Sequence, residues 1–344
     1  MISNRIFRIS TFITFYSLTH LATDAACAFL LLGVLELRDH IILSLILYNA
    51  AAFALQAPFG FIIDRALNPK LAAIVGLVFV TVSFLFWNNI FTALILAGTG
   101  NALFHVGAGS LVLSLKNKKA TFSGIFVAPG GIGLALGTFF AVSGAGLNFI
   151  FFPLVLIILA AILCFIKTPG LNRTNEGKRI PDNRFLIIFL IMIPIAIRSL
   201  LGLSAEFPWK DNQLLYVSLI SAIALGKAFG GILSDRFGLI NVGVGGLLFS
   251  MPLLAFFSSI PIFGILGVFF FNFTMTVTLI AIWSVMPKYK GLSFGLTTLA
   301  IFIGALPVII GKDLWAKNDW TVFVLIFSAA IILFAAIRLM KYEI

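Results

Sequence analysis

Charge is scarce in this sequence: Asp, Glu, Lys and Arg make up 10% of it, against about 25% in an ordinary soluble domain. With 61% hydrophobic residues beside so little charge, a water-soluble globular chain is excluded. Cysteine is nearly absent. Cys27 and Cys164 both fall inside apolar runs, which argues against a disulfide framework and for two buried thiols. The cysteines and the histidines form no cluster with metal-ligand spacing along the chain, so no metal centre is expected. No glycine-rich segment continues into the Lys-Ser/Thr of a phosphate-binding loop, so neither ATP nor another cofactor is expected, and a proton gradient is the natural energy source. His20-x-x-x-Asp24 has the look of an acyltransferase pair, but that chemistry would use a longer interval and further motifs that this sequence lacks.

Long apolar runs are what the sequence has in abundance. Twelve of them, roughly 9–34, 41–63, 70–88, 90–115, 120–144, 147–167, 184–205, 213–234, 239–257, 259–286, 291–311 and 319–340, approach or exceed the span length. A hydrocarbon core of about 30 Å takes about 20 helical residues. Lipid offers a bare backbone no hydrogen-bond partner, and runs this uniformly apolar are helices and not the alternating strands of a barrel. The expected fold is therefore an all-α integral membrane protein of twelve transmembrane helices.

The net charge of +11 raises the question of nucleic acid, and its placement answers it. With the N-terminus in the cytoplasm, the outer segments hold only Arg38, Lys210, Lys312 and Lys317; Arg198 and Lys227 lie within spans, and every other basic residue is inside. This obeys the positive-inside rule and implies no nucleic-acid partner. Trp87, Trp209, Trp315 and Trp320 all fall at outer ends of spans, where indole rings prefer the interface. Both termini are then cytoplasmic, in a multi-pass protein of the inner membrane. The first apolar run is long enough to span and has no small-residue cleavage site, so it reads as a first helix and not a removed leader.

The chain repeats itself. Gly60-Phe61-Ile62-Ile63-Asp64-Arg65 and Gly231-Ile232-Leu233-Ser234-Asp235-Arg236 stand 171 residues apart, and the same offset carries Asn101 onto Asn272, Lys119 onto Lys290 and Gly124 onto Gly295. Two six-helix bundles, 1–167 and 184–344, are expected, joined by a polar cytoplasmic linker at 168–183 that is punctuated by Pro169, Gly170 and Pro181. Parallel repeats of this kind are one plan for secondary transporters, which work by alternating access. In each signature the glycine admits a neighbouring helix, while Asp64 and Asp235 can accept bonds from a helix N-terminus or pair with Arg65 and Arg236. Their duplication at matched positions points to a gating latch.

Ionisable residues deep in a span usually face a partner or an aqueous cavity. Ser17, His20, Asp24 and Cys27 recur at spacings of three and four and form one polar stripe on the first helix. Gly98, Asn101, His105 and Gly109 form a second on the fourth. Asp24 lies too deep for its short side chain to reach water by snorkelling, which fits a proton-coupling group, and His20 one turn away can share its proton. Arg198 keeps its charge and forks onto carboxylate or phosphate oxygens, so it points to an anionic substrate, with His105, Lys227, Asn101 and Asn272 as further candidate contacts; a fixed Arg198–Asp24 pair is the alternative.

Over its whole length the chain resembles the major facilitator superfamily. Leu18-Thr19-His20-Leu21-Ala22-Thr23-Asp24, Gly100-Asn101-Ala102-Leu103-Phe104-His105-Val106-Gly107 and Ile197-Arg198-Ser199 are similar to the fosmidomycin-resistance branch of drug and organic-anion exporters. The first signature departs from the superfamily pattern: Ala66-Leu67-Asn68-Pro69-Lys70 follows it where a glycine and a basic pair are usual. Gly124-Ile125-Phe126-Val127-Ala128-Pro129-Gly130-Gly131-Ile132-Gly133 resembles the antiporter motif of the superfamily, with Ala128 in place of a glycine. Pro129 permits a bend, and Gly130, Gly131, Gly133 and Gly137 offer a smooth face for close packing, which would serve tight packing as well as exchange.

The resemblance implies a transporter and not an enzyme, set in the lipid bilayer, that exports a small organic anion or drug-like molecule in exchange for protons; a closed bundle of this size can work as a monomer. Proton-linked uptake of a nutrient anion is the alternative within transport, and a non-transporting receptor or assembly factor is the alternative outside it. A protease site inserted in the linker at 168–183 is expected to be cut in everted vesicles and spared in intact cells; the reverse pattern on immunoblots would invert the topology.

Overall fold

The computed structural model describes residues 2–35, 40–115, 120–143, 149–169 and 182–342, with side chains between 7 and 340. Most of the linker, at 170–181, lies outside the described residues, as do Arg38, Lys116, Lys118, Lys119, Arg173, Lys178 and Arg179 and the side chains of Arg5 and Lys341.

Among the described residues, eleven helices are long and apolar enough to cross a membrane: α1 (Phe7–Val34), α2 (Ile41–Arg65), α3 (Pro69–Phe86), α4 (Ile90–Leu113), α5 (Ala120–Val142), α7 (Arg184–Ser204), α8 (Gln213–Phe237), α9 (Leu239–Phe256), α10 (Pro261–Val285), α11 (Lys290–Ile309) and α12 (Asp319–Met340). Between α5 and α7 lies a shorter apolar helix, α6 (Phe151–Phe165). Among the described residues there is no strand. This is an all-α, multi-pass membrane architecture. Its outward faces carry large apolar side chains such as Leu85, Phe165, Phe189 and Phe249, which suit lipid and not water.

The helices depart from regularity at a few places with identifiable causes. Leu35 N–H donates to Leu30 C=O at 3.0 Å and Leu55 N–H to Ala50 C=O at 3.1 Å, one wide turn in α1 and one in α2. α10 breaks at Asn272, whose amide donates to Val268 C=O at 2.9 Å. The departure after the first signature has a local explanation. Asn68 caps α3 by accepting from Lys70 N–H at 2.9 Å, Pro69 takes the first helical position, and Lys70 Nζ reaches the carbonyls of Cys164 and Ile166 at 2.8 and 3.0 Å. A basic side chain there satisfies orphan carbonyls at the end of α6.

By contacts the chain falls into two compact units: Met1–Lys118, Pro129–Arg173 and Tyr289–Gly295 form unit 1, and Lys119–Ala128, Thr174–Lys288 and Leu296–Ile344 form unit 2. In unit 1, α3 and α4 pack closely because Gly76, Gly100 and Gly107 each meet the other helix's backbone directly. In unit 2, Gly226 and Gly230 do the same for α8 against α10, and Gly304 for α11 against α7.

Both signatures grip a helix N-terminus. In unit 1, Asp64 Oδ1 and Oδ2 accept from the backbone N–H of Gly291 at 2.8 Å and Leu292 at 2.9 Å, at the start of α11, and Gly60 lies against the Gly291 backbone. In unit 2, Asp235 Oδ1 accepts from Ala120 N–H at 2.8 Å and Oδ2 from Thr121 N–H at 3.0 Å, at the start of α5, with Gly231 against Ala120. The offset that relates Asp64 to Asp235 also relates Ala120 and Thr121 to Gly291 and Leu292, so the two contacts are copies. Of the two partners the spacing allowed, the helix N-terminus takes the carboxylate. Arg65 lies over the Phe61 ring at 4.0 Å, and Arg236 over Phe237 at 5.2 Å.

Asp64→Ala is expected to lower stability by about 1–2 kcal/mol, the scale of a lost cap, and Asp235→Ala by less, because Asp64 is half-buried and Asp235 exposed. Thermal unfolding in detergent checks this; Arg65→Ala and Arg236→Ala should shift the midpoint less than Asp64→Ala.

Candidate functional site

The described ionisable groups deep in unit 1 converge on one carboxylate. The stripe on α1 and the stripe on α4 meet there. His20 Nε2 stands 3.3 Å from Asp24 Oδ2, and His105 Nε2 stands 3.4 Å from Asp24 Oδ1. The two imidazoles meet edge to face, with centroids 4.4 Å apart. Both rings are buried, while the Asp24 side chain keeps 21% of its surface open.

His105 is held in one tautomer. Its Nδ1 lies 2.8 Å from the carbonyl oxygen of Asn101, one turn back on α4. A carbonyl only accepts, so Nδ1 carries the proton and Nε2 is the nitrogen turned to Asp24. The Asn101 amide donates from the same residue to Asp24 Oδ1 at 3.2 Å and to Cys27 Sγ at 3.7 Å. Asn101 and His105, expected among the substrate contacts, thus touch Asp24. Thr19 and Thr23 flank the cluster on α1 but spend their hydroxyls on the Phe15 and Thr19 carbonyls of their own helix.

The glycine-rich motif of α5 takes part in this site. A Cβ on Gly130 would collide with His20 Nε2 and sit 2.6 Å from Asp24 Oδ2, so the absence of a side chain is what leaves room for the cluster. Gly133 and Gly137 lie against the carbonyls of Leu21 and Ala25, setting α5 directly on the α1 backbone. Sequence reading gave Gly130 only a packing or directional meaning. It also passed over Tyr16, one turn before His20, whose buried hydroxyl has no hydrogen-bond partner. The helical spacing from His20 was the signal for Tyr16; nothing in the sequence placed Gly130.

In unit 2, Arg198 lies on α7 with its Nε and Nη2 buried and without a hydrogen-bond partner. Its neighbour Ser199 donates to Ile301 C=O at 2.7 Å, and Gly304 packs on Ala196, which fixes this turn of α7 against α11. A guanidinium in that state retains donors for a carboxylate or phosphate. Lys227 on α8 accepts at its carbonyl from the Thr276 hydroxyl at 2.8 Å, and Asn272 bonds to its own helix.

Neither protein-family models nor curated proteins match this sequence. Solved structures do. The chain is similar to the E. coli fucose:proton symporter FucP, with a TM-score of 0.69 and 14% identity over 96% of this chain and 99% of the other. FucP described as a major facilitator superfamily transporter in the outward conformation gives 0.66 and 14%, over 94% and 98%. A bacterial homologue of the iron transporter ferroportin in the outward-facing state gives 0.64 and 15%, over 96% and 99%. The chain has the fold of major facilitator superfamily transporters.

Gly130→Ala is expected to be destabilising by about 1–3 kcal/mol, as overpacking usually is, because the new methyl meets two side chains and the helix behind them cannot retreat. Gly202→Ala, where a Cβ meets nothing within 4 Å, is expected to leave the melting midpoint unchanged or slightly raised.

Proposed function

We propose that the protein is a secondary active transporter of the inner membrane, with both termini cytoplasmic, that exchanges protons for a small organic anion or drug-like molecule. The observation that carries this reading is the Asp24 carboxylate flanked by the Nε2 atoms of His20 and His105. With Nδ1 of His105 holding its proton on the Asn101 carbonyl, a neutral ring turns a lone pair toward a carboxylate oxygen. Two acceptors at that separation repel, and a proton on Nε2 turns the contact into an ion pair. The cluster therefore has a reason to load a proton, and the part of the Asp24 side chain that is not covered gives the proton a way in and out.

Arg198 supports the anionic class of substrate. A buried guanidinium with unused donors is costly unless a partner arrives, and an anion supplies that partner. Lys227 and Asn272 complete the substrate-side set in this reading. Asp64 and Asp235, with Gly60, Arg65, Gly231 and Arg236, serve as gates whose grip on two helix N-termini is made and released as access alternates. The likeness of the His20 and His105 stretches to the fosmidomycin-resistance branch favours export.

Everted vesicles with an imposed proton gradient and a pH-sensitive dye, challenged with organic anions, phosphonates, sugars and lipophilic cations, test the reading. An organic anion or phosphonate is expected to trigger proton release with the native chain and none with Asp24→Asn. Arg198→Lys should weaken the apparent affinity for that compound about tenfold or more, the scale of a hydrogen bond to a charged group. Substrate and protons moving in the same direction would replace exchange by symport. A compound crossing with no proton movement would overturn the role of Asp24.

A further inference from the structure

We infer that His20, Asp24 and His105 form a binding site for a divalent transition-metal ion of the zinc class, held by the two Nε2 atoms and the carboxylate. Among the described residues this is the group of His, Cys, Asp and Glu side chains able to hold an ion, its ligand atoms all within 4.8 Å of one another.

Four features of the geometry lead there. First, each nitrogen–oxygen separation fits one edge of a coordination shell. Ligands bound at about 2.0–2.1 Å in a tetrahedron stand about 3.3–3.4 Å from one another; His20 Nε2 stands 3.3 Å from Asp24 Oδ2 and His105 Nε2 stands 3.4 Å from Oδ1, so the carboxylate turns one oxygen to each imidazole. A charge-assisted hydrogen bond would close to about 2.7–2.9 Å. Second, the donor set of two imidazoles and one carboxylate is the one that zinc and its neighbours accept with a position left over. The open part of the Asp24 side chain leaves that position reachable. Third, the outer shell is already in place. Asn101 C=O fixes the His105 tautomer so that Nε2 is the nitrogen turned to Asp24, and Asn101 Nδ2 orients Asp24. A backbone carbonyl behind a ligating histidine and an amide behind a ligating carboxylate are the supports such ligands generally have. Fourth, Gly130 keeps the approach to His20 and Asp24 clear of side chains.

Among the described residues, the groups facing the carboxylate are His20 from its own helix, His105 and Asn101 from α4, the Cys27 thiol beyond Asn101 and the buried Tyr48 hydroxyl of α2 that bonds to Cys27; α5 contributes Gly130 there. Apart from the carboxylate itself, none of these is an anion at neutral pH, so the ion's charge is only partly neutralised and protons compete with it directly. Metal binding must then compete with protons for the same atoms and weaken in acid. The binding site stands on this geometry alone; that a bound ion blocks proton movement during transport rests additionally on the proposed function.

The test uses the full chain purified without a polyhistidine tag and reconstituted in lipid nanodiscs, with Co²⁺ as the probe. One ion per chain is expected, with the visible bands of low-coordinate Co²⁺, displaced by Zn²⁺ and lost at acid pH. His105→Gln, His20→Gln and Asp24→Asn should each abolish the bands, and His40→Gln, at the one histidine outside the cluster, should leave them intact. Should a cluster variant not fold, X-ray absorption on the native protein decides: an inner shell at about 2.0–2.1 Å with two imidazoles supports the site. No stoichiometric binding, a shell without imidazole, or bands lost only with His40→Gln would overturn it. Proton movement in vesicles is scored separately: metal binding without proton coupling leaves the site standing and removes the proton-exchange reading.

Discussion

A polar group drawn away from water inside a lipid-facing bundle has to find its partner within the protein, and the positions of functional groups in this chain follow from how that demand is met. Hydroxyls meet it cheaply. Thr19, Thr23 and Ser234 turn back onto carbonyls of their own helices, and Ser199 reaches one on a neighbour. Asp64 and Asp235 meet it by taking N–H groups that a helix start leaves without partners. The histidines and Asp24 meet it through each other, which leaves them sensitive to any cation that can stand between them. Arg198 keeps donors that the described protein does not fill, and the reading of an anionic ligand begins from that fact.

Close approach of backbones is the second condition. Gly60 and Gly231 bring a helix start within reach of a short aspartate side chain, and without them the carboxylates would stop short of the N–H groups they accept from. Gly130, Gly133 and Gly137 repeat the same device along α5, laying it on the α1 backbone at the level of His20 and Asp24. Glycine is therefore used here less for flexibility than for proximity. The polar cluster and the glycine face are two halves of one construction: the first supplies the chemistry, and the second supplies the space it occupies.

The duplication ties these together. The signature contacts recur at the same offset in both copies, down to the two backbone N–H groups that each aspartate takes. The polar interiors have diverged. Asn101 holds Asp24, whereas its repeat mate Asn272 bonds back to its own helix at a break in α10. The duplicated scaffold carries a carboxylate with histidines in the interior of one unit and a guanidinium in that of the other.

Much of this was legible along the chain. Span length, the placement of Lys and Arg, the tryptophans and the internal repeat depend on local composition and fixed spacing, so the all-α membrane architecture could be read directly, as could the stripes of α1 and α4, because three- and four-residue spacings fix a helix face. The distance between the stripes could not. His20 and His105 have no metal-ligand spacing in sequence; helix periodicity puts His20 beside Asp24, and only the packing of α1 on α4 brings His105 there. The choice of helix N-terminus over arginine as the partner of each signature aspartate, and the place of Gly130 against His20, were likewise decided by tertiary contact. Sequence by itself determined which residues share a helix face and which segments cross the membrane, because those follow from periodicity within one element. Only the tertiary structure decided which faces meet, because contact between elements far apart in the chain depends on how closely their backbones can approach.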